Sequence, residues 1–350
     1  MKKLLLTSAL ISLGSLSVLG TANSQTKITG ELKGGYKNAE QFAAGARTLS
    51  GFTSERQINF QHDATLNNGL KFTAGFSLEQ DGADGAFDGL ESNWVNFTSG
   101  ATTFEIGMDH IQNTDRNLQS RVGLPISEVV GAWGGSTVRT TGGTVGLQYS
   151  QGAFTNKDKM GLGIIQNVGT GNASFNYIPR IDDKANIADT DVPTKAGKHA
   201  YELTYFGAIP GVKGLSTNLG YNVQSKDGTD VQDQKLKLYN LSYTMNNFAV
   251  GIEKRDVELA DKAEQDSMEY SLSYKITPLA SVGIGKIVTE GKNASGASYA
   301  NKEKINYVQV GYNLGAIYTT LNYVDAEDIA YSRASNQDGK AWVANFGVKF

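Results

Sequence analysis

A chain of 350 residues with no cysteine is long enough for one large domain, and neither disulfides nor thiolate metal sites hold it together. Its formal charge of −3, from 32 basic and 35 acidic residues, argues against nucleic acid as a partner, which would require a basic face. Glycine is abundant (41) and proline scarce (5), a balance that suits long paired strands with tight bends better than a disordered secreted chain.

The N-terminus reads Met1-Lys2-Lys3, then an apolar run from Leu4 to Leu19, then small residues around Gly20-Thr21-Ala22-Asn23-Ser24. A basic start, an apolar centre and a small-residue exit predict a cleavable signal peptide over 1–24, cut after Ala22 or after Ser24. Losing Lys2 and Lys3 takes the charge from −3 to −5. No later apolar stretch reaches the ~18 residues a membrane-spanning helix needs. The mean hydropathy of −0.32 does not exclude a membrane, because only alternate residues of a transmembrane strand meet lipid.

From residue 25 to residue 350 the chain reads as one domain of alternating segments. Ile58, Phe60, Ala64 and Leu66 oppose Gln57, Asn59, Gln61, Asp63 and Thr65. Asn67-Asn68-Gly69 has hairpin chemistry, and Leu70, Phe72, Ala74, Phe76 and Leu78 then oppose Lys71, Thr73, Gly75, Ser77 and Glu79. The strand-turn-strand Glu91–Asp109 follows, with Trp94 on the opposite parity from Val95 and Phe97, as for a residue turned inward. A long irregular stretch runs over 110–141, and such length in a compact domain is commonly functional. Between 142 and 179 two readings stand: every possible hairpin gives 18 strands, two longer strands give 16. Alternation resumes at Leu215–Gln224, Met268–Ile276 and Val308–Leu314. It ends on Trp342, Ala344, Phe346, Val348 and Phe350, against Ala341, Val343, Asn345, Gly347 and Lys349.

Short turns, such as 67–69, 99–101, 246–247 and 315–316, alternate with longer polar links, such as 81–89, 181–198, 291–303 and 330–339. That rhythm predicts an all-β, antiparallel up-and-down barrel with turns at one end and loops at the other. Tyr201, Tyr205, Tyr221, Tyr243, Tyr270, Tyr274, Tyr312, Tyr323 and Trp342 fall at alternating positions, as expected of interfacial aromatic girdles.

The signal peptide, the hairpin array, the Glu91–Asp109 strand-turn-strand with its long following loop, and the closing Phe350 together resemble the general bacterial porins of Gram-negative outer membranes. The resemblance implies a 16-stranded transmembrane barrel, trimeric, whose water-filled channel passes small hydrophilic solutes and ions by passive diffusion. It implies an inward-folded third loop at 110–141, with Asp115 and Glu128 as its acids and Asp109 at its entry. Wall bases facing them are expected among Lys33, Lys37, Lys71, Arg255 and Lys275, without a compact arginine ladder. Phe346, Val348 and Phe350 match the family's terminal signal for the barrel assembly machinery. Outer-membrane lipid and lipopolysaccharide are the implied surroundings. A negative chain leans toward cations.

His62, His110 and His199 lack metal-site spacing, no serine sits in a Gly-x-Ser-x-Gly elbow, and no catalytic constellation or cofactor motif is present. Asp182-Asp183 and Asp189–Asp191 read as solvated acids. Two other classes stay open: a substrate-specific channel for a sugar or an anion, and a non-conducting barrel acting as an adhesin or structural anchor.

Overall fold

The computed structural model describes residues 23–41, 48–81, 89–108, 138–140, 143–145, 160–179, 199–226, 231–328 and 338–350. In chain order the strands are β1 (Asn23–Gln41), β2 (Thr48–Thr65), β3 (Lys71–Asp81), β4 (Gly89–Ser99), β5 (Thr102–Met108), β6 (Val138–Thr140), β7 (Gly143–Val145), β8 (Met160–Val168) and β9 (Gly171–Ile178). They continue as β10 (Ala200–Ala208), β11 (Leu215–Gln224), β12 (Gln234–Met245), β13 (Phe248–Glu258) and β14 (Glu264–Lys275). The last are β15 (Ala280–Lys292), β16 (Glu303–Asn313), β17 (Ile317–Glu327) and β18 (Gly339–Lys349).

Sixteen of these strands form one closed antiparallel barrel in which each pairs with its sequence neighbours, β5 pairs with β8, and β1 pairs with β18. Of the two readings of 142–179 the one with two barrel strands, and 16 in all, holds: the barrel takes β8 and β9 from it. β6 and β7 make a separate two-stranded sheet, and the barrel itself has 16 strands. The connection from β5 to β8 is longer than the expected 110–141, because β8 starts only at Met160, and β6 lies beside β1 and β18. Among the described residues no helix is long and apolar enough to cross a membrane.

Closure follows from backbone chemistry. In hydrocarbon an open sheet edge would leave N–H and C=O groups without partners, at several kcal/mol each. β1 satisfies both of its edges, running from Glu31↔Lys349 to Gln41↔Gly339 on one side and from Asn23↔Thr65 to Glu40↔Thr48 on the other. Phe350 extends the pairing, its N–H and C=O both bonding Gly30. The short turns take left-handed residues where the bend demands one, as at Gly69 (φ 81°) and Asn246 (φ 52°).

The barrel is apolar outside and polar inside, the inverse of a soluble protein. Leu203, Leu241, Ile252, Leu272, Ile284, Val308 and Leu321 are exposed on the outer wall, while Ser77, Asn176, Thr204, Asn218, Asn222, Gln309 and Asn322 are buried on the inner one. The aromatics expected as a girdle face outward, several pairing across strands: Tyr323 and Trp342 have centroids 4.6 Å apart, and Phe248 and Tyr274 also 4.6 Å.

Candidate functional site

The inner wall is the part of this molecule that carries chemistry. Period-two alternation puts Glu31, Glu79, Glu105, Glu202, Glu253, Glu269 and Glu303 on it, one per strand across much of the barrel. Six of them, Glu79, Glu105, Glu202, Glu253, Glu269 and Glu303, are buried; among the described lysines and arginines the one buried is Arg255.

Arg255 is the centre of the densest cluster. Its guanidinium bonds Glu253 on the same strand and lies 3.8 Å from Glu269 Oε2 on β14. Asn240 of β12 donates to Glu253 Oε2 at 3.2 Å, and the Tyr307 hydroxyl of β16 donates to Glu269 Oε1 at 2.7 Å. Two carboxylates thus share one guanidinium, with neutral donors meeting the remaining oxygens. A buried charge needs this, since desolvation is otherwise not recovered.

Tyr307 reaches Glu269 by lying across Gly285, the residue between them on β15, where a Cβ would collide with the phenol. Tyr318 does the same over Gly347 of β18 to reach Glu31 on β1. Trp94 is inward and buried, its ring lying over Gly75. A third crossing of this kind involves Asn176, which lies over Gly163 toward Glu105. Next to it Glu202 accepts a hydrogen bond from Asn222 Nδ2.

The wall bases expected from sequence are not gathered at one level. Arg255 lies toward the loop end of β13, in the cluster above. Lys33 is inward but 3.5 Å from Glu31 Oε2, opposite Gly347 near the C-terminal rungs. Lys71 is the first residue of β3 and Lys275 the last of β14, so both stand at the short-turn mouth, exposed. Lys37 pairs in register with Val343. Asp109, Asp115 and Glu128 lie outside the described residues. Phe346 and Phe350 are outward and exposed, with their rings over Gly34 and Gly30. Val348 pairs with Leu32 on the same outer face.

Sequence reading missed the wall glutamates. Their signal was available: each sits on the polar parity of an alternating strand, but the resemblance directed attention to bases there. Among the described residues no group of histidine, aspartate and glutamate is arranged to hold a metal ion.

A family model described as Gram-negative porin matches residues 8–350. A search of curated proteins finds no match. Among solved structures the chain is similar to an anion-selective porin from Comamonas acidovorans, with TM-score 0.67 and 13% identity, covering 94% of this chain and 100% of that one. A loop-deletion mutant of OmpT from Vibrio cholerae gives TM-score 0.64 at 13% identity, covering 93% and 99%. A mutant of Rh. blastica porin gives 0.59 at 14%, covering 93% and 100%. Family and fold point to a channel rather than an enzyme, and to residence in the outer membrane. The chain belongs to the Gram-negative porin family and is an outer-membrane β-barrel channel protein.

Proposed function

We propose that the chain is a general diffusion porin with a preference for cations, exported behind a signal peptide over 1–24 and passing small hydrophilic solutes and ions down their gradients. The observation that carries the ion preference is the inner wall, where among the described residues six buried glutamates stand against one buried arginine. Fixed carboxylates raise the local concentration of cations and repel anions. One of the similar structures is named as anion-selective; the excess of wall carboxylates supports the opposite sign here.

The homotrimer expected of the family has support on the outer wall. Arg56, on the outward parity of β2 between exposed Phe52 and Ile58, hydrogen-bonds Gln80 of β3 at 3.2 Å. A guanidinium facing lipid costs about 2–4 kcal/mol at the bilayer midplane and less toward the interfaces, a cost that protein-protein contact on this face would relieve. Near the loop end of the outer wall, cross-strand pairs such as Lys235–Glu258, Lys292–Glu264 and Lys304–Glu327 form a charged collar suited to lipopolysaccharide headgroups. Asp109, Asp115 and Glu128 remain the proposed acids of the constriction, and Phe346, Val348 and Phe350 the proposed assembly signal.

The test is conductance of the refolded mature chain in a planar bilayer under a salt gradient. Discrete steps in groups of three with a cation-selective reversal potential are expected; clear anion preference overturns the selectivity reading. A sugar-specific channel is the second reading, to which Trp94 lends an inward, though buried, aromatic ring on the wall. Saturable block by a sugar would establish it. A folded, inserted barrel that conducts nothing would leave the structural or adhesin role.

A further inference from the structure

Charge on the described inner wall is sorted along the barrel axis, with bases gathered at the short-turn mouth. Lys71 opens β3 and Lys275 closes β14, both exposed. They stand seven strands apart round a barrel of sixteen, on nearly opposite sides of the opening. Neither makes an ion pair with a described residue. Lys27 and Lys349 join them, their side chains 49% and 60% exposed. The acids at this level are Asp63, 3.0 Å from Lys27, and Glu31, which lies 3.5 Å from both Lys33 and Lys349. The seven short turns contain no aspartate or glutamate, and Lys213 is their one base. Farther in the sign changes. Among the described side chains, the charged inward residues there are the six buried glutamates and Arg255. Glu105 comes nearest the mouth, at the fourth position of β5.

From this sorting we infer that the lumen conducts directionally: at low salt it carries more current when the loop side is positive, and Lys71 and Lys275 set the difference. The inference rests on the channel reading and adds a direction to it. Fixed bases at one end gather anions, and fixed carboxylates farther in gather cations. A potential positive on the loop side drives both mobile populations toward the level where the two zones meet, so carriers accumulate and current rises. The opposite potential draws both away, and the depleted level resists. Arg255 is held between Glu253 and Glu269 and leaves the order of the zones unchanged. The exposed lysines act through solvent, so the effect depends on a Debye length of about 10 Å at 0.1 M salt and about 3 Å at 1 M. No energy is supplied, and the asymmetry therefore exists only under an applied voltage.

The test is the current–voltage curve of the refolded mature chain with the same potassium chloride solution on both sides. The chain has no cysteine, so Val212→Cys, in the exposed turn between β10 and β11, can be biotinylated alone. Streptavidin added to one chamber then reports which way the short turns face. At about 0.1 M salt the current should be about 1.5-fold larger or more with the loop side positive, and at about 1 M the two directions should agree. Equal currents at the lower salt, the opposite sense, or an asymmetry unchanged at the higher salt overturns the inference and leaves the channel reading standing. A folded barrel that passes no current overturns both. Lys71→Cys with Lys275→Cys should abolish the asymmetry while the protein still migrates as a folded barrel on unboiled gels. A cationic methanethiosulfonate should then restore it, and an anionic one should not. Equal effects of the two reagents would assign the asymmetry to pore shape and overturn the role of the lysines. If the double variant does not fold, the salt series on the unsubstituted lysines decides.

Discussion

The Tyr318 hydroxyl donates a hydrogen bond to Glu31 Oε1 at 2.8 Å, joining residues 287 apart in sequence. Tyr318 is on β17, Glu31 on β1, and the bond passes over Gly347 on β18, so it spans the place where the barrel's first and last strands meet. Tyr307, Gly285 and Glu269 repeat the device on β16, β15 and β14. An aromatic ring covering a strand glycine fills the space its missing side chain leaves, and its hydroxyl adds a neutral donor to a carboxylate that also faces a base, Arg255 for Glu269 and Lys33 for Glu31.

Replacing Gly285 with valine should therefore displace Tyr307 and break its bond to Glu269. The expected cost is about 1–3 kcal/mol from overpacking. Tyr307→Phe should cost about 1.5–3 kcal/mol from loss of a charged hydrogen bond. Both are read as a fall in the temperature at which the folded band disappears from unboiled gels.

Arg255→Leu removes the one guanidinium shared by Glu253 and Glu269 and leaves both carboxylates buried. Destabilisation of about 3–5 kcal/mol is expected in urea titrations of the refolded protein. Adding Glu253→Gln to that variant should recover part of it. Recovery absent from the double variant would show that packing, not charge, holds this cluster.

The two walls should respond differently to the same charge. Ile284 is outward and exposed, so Ile284→Arg should cost about 2–4 kcal/mol in lipid. Gln265 is inward, and Gln265→Arg should cost less than about 1 kcal/mol while moving the reversal potential toward anions.

Deleting Phe350 should separate assembly from stability. Its backbone bonds Gly30 and its ring covers that glycine, so refolding in detergent should weaken only modestly. In cells the same deletion should sharply reduce outer-membrane protein and raise the periplasmic pool. Equal loss in both settings would make Phe350 a packing residue alone.

The strands were legible because lipid and lumen impose opposite polarity on alternate residues. Leu70–Leu78 and Trp342–Phe350 declare their faces without any tertiary information, and the outward tyrosines follow from the same parity. The 142–179 region was ambiguous because a hairpin that leaves the barrel, β6–β7, has the same local pattern as one that stays in it. The site was less legible. Lys33, Lys71 and Arg255 have the same inward parity, yet one pairs with Glu31, one stands at a mouth, and one anchors a buried cluster.

Sequence by itself determined the class of fold, the inward and outward faces of its strands, and the ends that carry turns or loops, because these depend on the two-residue period and on local turn chemistry. Only the tertiary structure decided which rungs meet. Strand register brings Glu105, Asn176 and Glu202 into one row and carries Tyr318 across Gly347 to Glu31. Barrel closure joins residues at opposite ends of the chain, and no local pattern encodes which carboxylate a tyrosine two strands away will find.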